Sequence, residues 1–228
     1  MAAKVKAIIP FKKKGAKSRL GSFLSEQERE ELAIRMLTDV LTALSESEVG
    51  KIEVIITCTR NELLNGLKTS HRDLKSKLSI REDGRELNEL LNGVISAEKE
   101  PVLIIMADIP LATAEAINEL LRHDEDVVVM PGRNGGTNAL FLRRPHDFTV
   151  SYYGISCLAH IATAKSRNLS HAVYDSFRIG VDIDEVEDLI ELLIHGRCSA
   201  STEYLRGIGV RLRVDKAAKV RVGVERET

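Results

Sequence analysis

The sequence is poor in aromatic residues and thiols: it has no tryptophan, three cysteines, and only 4% Phe, Trp and Tyr together. Cys58, Cys157 and Cys198 are scattered and form no Cys-x-x-Cys pair, which argues against a disulfide framework and a structural zinc site. The formal net charge is −1, so no global field favours nucleic acid as a partner. No apolar run is long enough for a membrane span or a signal peptide. We therefore expect a cytoplasmic protein that binds neither nucleic acid nor membrane.

Segments with strand character alternate with amphipathic helices through most of the chain. The strand candidates are VKAIIP (5–10), IEVIITC (52–58), KLSI (77–80), VLIIMA (102–107), DVVVMP (126–131) and ALFLR (139–143). This alternation predicts the α/β class, with a three-layer α/β/α arrangement and a mostly parallel, doubly wound sheet. Hydrophobic residues make up 43% of the 228 residues, which is sufficient for one large core.

The predicted helices carry their own start signals. Ser25 and Glu28 have the spacing of a capping box, and Thr113 is a candidate N-cap. Helices are also predicted over 85–98, 113–122, 155–167 and in DEVEDLIELLIHG, which ends at Gly196, and a short strand is predicted near 177–181.

The C-terminal tail differs from the rest of the chain in its pattern. We predict one domain over residues 1–208, followed by a tail over 209–228. The tail alternates apolar and basic residues in VRLRV (210–214) and VRVGV (220–224). This pattern suggests edge strands or a partner contact, and it hints at a homodimer.

An aspartate follows the most apolar strand candidate. Val102 to Met106 form a continuous apolar run, which indicates a strand buried on both faces. Asp108 comes two residues later, and Pro110 restricts the preceding residue to extended conformations. Ligands of open α/β sheets bind at this edge of the sheet, so Asp108 is predicted either to start the next helix or to bind a charged ligand.

The first strand candidate runs into the basic loop of IIPFKKKGAKSRLG. Lys12, Gly15, Lys17 and Arg19 provide the cations and the small residue that a nucleoside triphosphate requires near its phosphates. The loop is not a Walker A motif, and a solvated run of lysines is the alternative. Its place directly after a strand favours phosphate binding, with Lys17 and Arg19 as the preferred contacts.

A second candidate for nucleotide contact is the turn in EDGRELNELLNG. Gly84 permits the backbone to approach a flat base, and Asn88 offers a donor and an acceptor to a base edge or ribose. An ordinary loop that starts a helix is the alternative.

Two further carboxylates occur in GVDIDEVEDL, where Asp182 and Asp184 are two residues apart. Side chains at this spacing on an extended segment project to the same side, so both could reach one hard cation. The alternative is that Asp184 is only the N-cap of the following helix. Together with Asp108, the pair favours a magnesium site that also binds substrate phosphates.

Two small polar groups follow in the second half of the chain. In PGRNGGTNALFLRRP, Thr137 and Asn138 belong to a glycine-rich turn whose N–H groups could bind an anion, although a plain hairpin connection is the alternative. Ser156 and His160 are four residues apart at the start of a helix. A histidine on a helix is more often a packed or capping residue than a base.

These stretches together resemble one family, the 2-phospho-L-lactate guanylyltransferases of deazaflavin coenzyme F-420 biosynthesis. The similar segments are IIPFKKKGAKSRLG, LSEQEREELAIRM, LNELL, MADIPL, GGTNAL and VDIDEVEDL, and they extend to about residue 195. The resemblance implies the nucleotide-diphospho-sugar transferase (GT-A-like) fold. It also implies the transfer of GMP from GTP to 2-phospho-L-lactate, giving lactyl-2-diphospho-5′-guanosine and pyrophosphate, or to phosphoenolpyruvate in some relatives.

The family's functional residues can be carried over by position. The resemblance implies that Asp108, Asp182 and Asp184 are the carboxylates of the metal and acceptor site, and that Thr137 holds the acceptor. Ser156 matches the serine of an FGPxS-like motif; this chain reads YYGIS, one residue shorter, with Gly154 as the counterpart of the glycine.

Two rival functions remain compatible with the sequence. One is another nucleotidyltransferase of the same fold, acting on a sugar phosphate or on the molybdenum cofactor, although such enzymes usually have a more glycine-rich first loop. The other is a non-catalytic nucleotide-binding or partner-binding protein, against which the presence of all three aspartates argues.

Overall fold

The computed structural model describes residues 5–67, 76–196, 198–214 and 222–227. The strands are β1 (Lys6–Phe11), β2 (Lys51–Ile56), β3 (Leu78–Glu82), β4 (Val102–Ile105), β5 (Val127–Pro131), β6 (Thr137–Leu142), β7 (His171–Val173), β8 (Val210–Val214) and β9 (Val222–Arg226). The α-helices are α1 (Glu26–Glu46), α2 (Arg60–Gly66), α3 (Leu87–Ala97), α4 (Ala114–Leu121), α5 (Ser156–Ser166), α6 (Phe177–Gly180), α7 (Asp188–His195) and α8 (Ala200–Gly207). Short 3-10 helices span Ser18–Ser22 and Pro145–Asp147.

Seven strands form the central sheet in the order β3-β2-β1-β4-β6-β5-β7. All neighbouring pairs are parallel except those of β6, which is antiparallel to both β4 and β5. The predicted α/β class, with a mostly parallel sheet and helices on its flanks, is confirmed.

The strands bury side chains on both faces, because consecutive residues point to opposite sides of a strand. In β1, Ile9 packs into a core with α1, α4, α7 and α8, while Ile8 packs into a second core with α3 and α5. In β4, Ile105 packs into the first of these cores and Ile104 into the second. This two-sided burial explains why the central strands read as continuous apolar runs.

The predicted helix starts are also confirmed. Ser25 and Glu28 form a complete capping box at the start of α1, and Thr113 accepts a hydrogen bond from the N–H of Ala116 at the start of α4. Over the described ranges, no helix combines the length and the apolar character that crossing a membrane requires.

The predicted strand near 177–181 is wrong. Phe177–Gly180 is a helical turn in which the carbonyl of Ser176 accepts hydrogen bonds from the N–H groups of Ile179 and Gly180. The strand of this region is β7, which begins six residues before the predicted strand and pairs with β5. A segment this short carries too few residues for its periodicity to distinguish a strand from a helical turn.

The tail strands β8 and β9 pair with each other in a separate antiparallel sheet, and within the described part of the tail neither pairs with an edge of the central sheet. Val210 is buried in the core beside α8, and Arg226 donates to the carboxylate of Glu28 at 2.6 Å. The tail is thereby attached to the capping box of α1. Residues 220 and 221 of the second predicted strand lie outside the described residues, and the division of the chain at residue 208 stays a prediction.

The antiparallel direction of β6 determines what meets at the carboxyl edge of the parallel strands. β1 and β4 end at this edge, whereas β6 begins there, and the N–H of Met106 donates to the carbonyl of Asn138. The loop after β1, the turn after β4 and the first residues of β6 are therefore neighbours.

Candidate active site

A lysine and two aspartates from three separate loops meet at this edge. The ammonium Nζ of Lys17 lies 2.6 Å from Oδ2 of Asp108 and 2.6 Å from Oδ1 of Asp184. The Lys17 side chain is 8% exposed, whereas those of Asp108 and Asp184 are 30% and 36% exposed. Burial alone would lower the pKa of Lys17, but the two carboxylates more than offset it, so the pKa is raised. Lys17 is therefore a charged ammonium held between two anions.

The backbone of the first loop aims Lys17 inward. Lys17 adopts a left-handed conformation, with φ 54° and ψ 43°, immediately before the 3-10 helix Ser18–Ser22. Gly15 is also left-handed, with φ 66°. A lysine in this region of φ and ψ is unfavourable and persists only where its surroundings hold it, here by two ion pairs and the buried Leu20.

Asp182 completes a group of three carboxylates, Asp108, Asp182 and Asp184, which we call the carboxylate cluster. The N–H of Ile183 donates to the carbonyl of Asp108 at 3.0 Å, which places the two segments side by side. Burial raises the pKa of Asp182, and the charges of Asp108 and Asp184 raise it further. The predicted convergence of the three aspartates is thus found, although only Asp108 follows a sheet strand.

The alternative that Asp184 merely caps the next helix is wrong. α7 begins at Asp188, its N-cap is Glu187, and Asp184 turns its carboxylate to Lys17. Oδ2 of Asp188 accepts from the N–H groups of Asp184 and Glu185, at 2.9 and 2.8 Å. Asp188 therefore shapes the loop that presents Asp184, a role that the sequence analysis missed.

Arg19 lies at the outer side of the cluster. Its Nη1 is 3.6 Å from a carboxylate oxygen of Glu185 and 4.0 Å from one of Asp184. The side chain is 64% exposed, so these contacts stabilise the fold little. Arg19 is consequently free to pair with an anionic ligand.

Asn138 is committed to the protein and corrects one prediction. Its Nδ2 donates to the carbonyl of Ile179 at 2.9 Å and to Oδ1 of Asp182 at 3.3 Å. Both amide protons are used in this way, so the side chain positions Asp182 and offers no donor to an acceptor substrate. Thr137 and Asn138 also belong to β6 itself, since the glycine-rich turn ends at Gly136.

A second polar group is built on Thr137, the residue before Asn138 in β6. Oγ of Ser156 is 3.1 Å from Oγ1 of Thr137, and we call these two residues the hydroxyl pair. Oγ1 of Thr137 is also 2.9 Å from Nδ1 of His160, whose side chain is completely buried. Burial lowers the pKa of His160 to about 4. Thr137 and Ser156 are therefore in contact, and His160 packs against Thr137.

The loop over 151–155 packs onto the glycine-rich turn. Gly154 has φ 63° and its carbonyl accepts from the N–H of Ser156, while Gly135 has φ 79°. A Cβ added to Gly135 would lie 2.9 Å from Cγ2 of Ile155. The turn can therefore approach this loop only because it has no side chain there.

The other predicted nucleotide contacts lie around two hollows. Lys12, Lys17 and Asp108 line a cavity of about 220 Å³ together with Phe11 and Met106. Gly84 lines a different hollow of about 360 Å³, next to Lys14 and Glu82.

Asn88 belongs to neither hollow. Its Oδ1 accepts from the N–H of Tyr152 at 2.8 Å, so it ties α3 to the loop over 151–155. The nucleoside contacts of Gly84 and Asn88 stay predictions.

This combination of cations, carboxylates and hydroxyls coincides with a match to a known family. The family model described as guanylyl transferase CofC like matches residues 5–227. The chain belongs to this family. A CofC-like member named 2-phospho-L-lactate guanylyltransferase, from Methanosarcina barkeri, is 43% identical over 88% of this chain and 91% of its own length. Another, from Methanoculleus marisnigri, is 40% identical over 97% of this chain and 95% of its own. This CofC-like chain is thereby placed among nucleotidyltransferases.

Solved structures of the same fold are more distant in sequence. A nucleotidyl transferase from Methanothermobacter thermautotroptrophicus matches with a TM-score of 0.60 and 16% identity, covering 90% of this chain and 99% of its own. A Desulfovibrio desulfuricans G20 protein described as a nucleotide-diphospho-sugar transferase matches with a TM-score of 0.69 and 17% identity, covering 91% and 95%. These likenesses confirm the predicted fold of this CofC-like chain.

Proposed function

We propose that this chain transfers GMP from GTP to 2-phospho-L-lactate, giving lactyl-2-diphospho-5′-guanosine and pyrophosphate in deazaflavin coenzyme F-420 biosynthesis. The observation that carries the proposal is the grouping, at one edge of the sheet, of Lys17 and the carboxylate cluster with the hydroxyl pair. The names of the relatives support the choice of both substrates.

The chemical step is a phosphoryl transfer. A phosphate oxygen of the acceptor forms a bond to the α-phosphorus of GTP, and the bond from that phosphorus to pyrophosphate breaks. The attacking phosphate is already an anion, so no general base is required. The obstacle is the approach of two anions, and catalysis therefore rests on positioning and charge neutralisation.

The cations of the first loop meet the triphosphate in this proposal. Lys17 and Arg19 neutralise the pyrophosphate as it leaves, and Lys12 and the backbone at Gly15 contact the remaining phosphates. Since Lys17 pairs with Asp108 and Asp184, it exchanges one anionic partner for another when it contacts the triphosphate. Gly84 and Asn88 hold the nucleoside.

The hydroxyl pair binds the acceptor. The Thr137 and Ser156 side chains are buried, and a hydrogen bond from a buried hydroxyl to a carboxylate or phosphate oxygen is strong. The backbone at Gly154 lies on the exposed side of the same loop and closes over the acceptor.

The carboxylate cluster suits a hard divalent cation, and we propose Mg²⁺ bound by Asp108, Asp182 and Asp184. Carboxylate oxygens are the ligands that Mg²⁺ prefers. In the ranges that the structure describes, no three acidic, imidazole or thiol groups are arranged to hold a metal ion as they stand. Lys17 lies between two of the carboxylates and must release them first. When bound, the ion would neutralise phosphate charge.

The state of the cysteines bears on the cellular compartment of the protein. Cys58, Cys157 and Cys198 are free thiols, which suits the reducing conditions of the cytoplasm. We infer a cytoplasmic enzyme that binds no membrane and no nucleic acid. A homodimer through the tail stays a prediction that light scattering on the intact chain would test.

One experiment tests the proposed function. Pyrophosphate release is measured with GTP, ATP, CTP and UTP, each paired with 2-phospho-L-lactate, phosphoenolpyruvate and a sugar phosphate. The proposal expects the fastest release with GTP and 2-phospho-L-lactate. A preference for phosphoenolpyruvate would replace the acceptor, and a preference for a sugar phosphate would replace the enzyme class. If none of the pairings gives pyrophosphate release, the result would favour a nucleotide-binding protein without catalysis.

A further inference from the structure

Both ring nitrogens of the buried His160 have a hydrogen-bond partner. Nε2 lies 3.0 Å from the backbone nitrogen of Ser151, and Nδ1 lies 2.9 Å from Oγ1 of Thr137. The ring is packed edge-on against Tyr152, with centroids 4.9 Å apart, and lies at a tilt to Phe148, with centroids 6.0 Å apart. Among the described residues, no acidic side chain hydrogen-bonds to this ring.

These two contacts determine where the ring proton resides. A backbone N–H can only donate, so Nε2 of His160 must accept from Ser151 with its lone pair. Burial lowers the pKa of His160 to about 4, so the ring is neutral near neutral pH and carries a single proton. That proton is therefore on Nδ1, and Nδ1 donates to the hydroxyl oxygen of Thr137.

A count of protons shows the consequence for the hydroxyl pair. His160 supplies the proton of its contact with Thr137, and the contact between Thr137 and Ser156 uses one of the two hydroxyl protons. One hydroxyl proton is left over for a ligand. In the opposite tautomer, Thr137 would donate to the ring and Ser156 would donate to Thr137, and no hydroxyl proton would remain.

We propose that His160 is a positioning residue that makes the hydroxyl pair of Thr137 and Ser156 a hydrogen-bond donor toward an anionic acceptor. The inference rests on the proposed function for the identity of that acceptor, a phosphorylated carboxylate. An anion accepts hydrogen bonds and donates none, so a pair without a free proton would repel it. The Ser151 N–H, by fixing the ring tautomer, sets this polarity.

The tautomer itself can be measured without any substrate. The chain contains six histidines, and long-range 1H–15N correlation spectra of the intact, 15N-labelled protein report the protonation of each ring nitrogen. The signal of His160 is identified by its loss in His160→Gln. We expect protonated Nδ1 and unprotonated Nε2, unchanged from about pH 8 to about pH 5. Protonated Nε2, or titration near the ordinary histidine pKa of about 6.5, would overturn the proposal.

Kinetics then separate positioning from a purely structural role. His160→Leu removes both hydrogen bonds, whereas His160→Gln retains an amide donor and an acceptor. We expect His160→Leu to raise the KM for 2-phospho-L-lactate about tenfold or more, because a charge-assisted hydrogen bond is lost, with little change in the KM for GTP. His160→Gln should restore a substantial part of the acceptor affinity. The exposed His146, changed to Leu, is the matched control.

The outcomes distinguish this inference from the proposed function. If the wild-type protein turns over but His160→Leu and His160→Gln both leave the acceptor KM unchanged, the inference fails and the function stands. If the wild-type protein releases no pyrophosphate, the function fails, and the tautomer spectrum still decides the state of the ring. Should His160→Leu fail to fold by circular dichroism, the comparison of His160→Gln with the wild-type chain and the tautomer spectrum of the wild-type protein decide the inference, and protonated Nε2 would overturn it.

Discussion

The ammonium of Lys17 lies 2.6 Å from a carboxylate oxygen of Asp108, across 91 residues of sequence. This contact joins the loop after β1 to the turn after β4, and Asp184 shares the same ammonium at 2.6 Å. Lys17 thus offsets part of the negative charge of the carboxylate cluster. A residue predicted to bind phosphate is bound here to the carboxylates predicted to bind metal.

Removal of the Lys17 charge should expose the carboxylate cluster to cations. We expect Lys17→Met to bind Mn²⁺ about tenfold more tightly than the wild-type chain in the absence of nucleotide, since the competing ammonium is gone. Isothermal titration calorimetry measures this affinity. Lys14→Met, whose side chain is 75% exposed, is the control and should leave it unchanged. Weaker binding by Lys17→Met would contradict the assignment of the cluster as a cation site.

The contact between the glycine-rich turn and the loop over 151–155 should be sensitive to a single methyl group. Gly135→Ala places a Cβ 2.9 Å from Ile155 at a positive φ, so we expect the KM for the acceptor to rise about tenfold and stability to fall by about 1–2 kcal/mol. Gly136→Ala, which has open space around it, is the matched control. Equal kinetics for the two variants would show that the loop does not shape the acceptor site.

The attachment of the tail should depend on pH. The hydrogen bond from Arg226 is the main cause that lowers the pKa of Glu28 to about 2. Because the folded pKa is lowered, the contact stabilises the fold above the unfolded value of about 4.5 and is lost as the pH falls toward about 2. We expect Arg226→Ala to lower the free energy of unfolding by about 1 kcal/mol near neutral pH, since the pair is partly exposed.

Urea unfolding of the intact chain at several pH values checks this difference. It should shrink toward zero as the pH approaches about 2. Arg213→Ala, on the exposed part of β8, is the control. A loss for Arg226→Ala that does not depend on pH would mean that packing, and not the carboxylate, carries the effect.

Removal of the buried hydroxyl of Tyr152 should raise the stability of the fold. Among the described residues this hydroxyl has no hydrogen-bond partner, and burial raises the pKa of this tyrosine. Tyr152→Phe removes an unsatisfied polar group, so we expect stability to rise by up to about 1 kcal/mol. Thermal unfolding measures the change, with the exposed Tyr153→Phe as the control. A clear loss of stability would reveal a partner for the hydroxyl.

The sheet was predictable because each central strand repeats one signal. β1, β4 and β5 are buried on both faces, and their apolar runs are continuous in the sequence. The helix α1 was predictable because Ser25 and Glu28 fix its start locally. The turn over Phe177–Gly180 was not, since four residues carry no decisive periodicity and backbone contacts select the conformation.

The residues of the candidate site were predictable from the sequence, but the contacts between them were not. Asp108, Asp182, Asp184 and Lys17 were recognised because charged residues beside apolar segments mark the edge of a sheet. The sequence does not contain the distance between Lys17 and Asp108, which arises from the parallel pairing of β1 with β4 and the packing of the loops that follow them. Nor does it contain the hydrogen bond from Asn138 to Asp182, which depends on β6 beginning at the same edge. The tautomer of His160 likewise depends on the Ser151 backbone.

The steady-state rate of pyrophosphate release by Asp108→Asn, with GTP and 2-phospho-L-lactate at saturation, tests the central claim most directly. The claim is that Asp108 and its cluster neutralise and position charge during transfer. We predict a rate about a hundredfold or more below that of the wild-type chain, with an unchanged circular dichroism spectrum. Asp124→Asn, at a fully exposed position, should retain the wild-type rate. A rate for Asp108→Asn within about threefold of the wild-type rate would contradict the account.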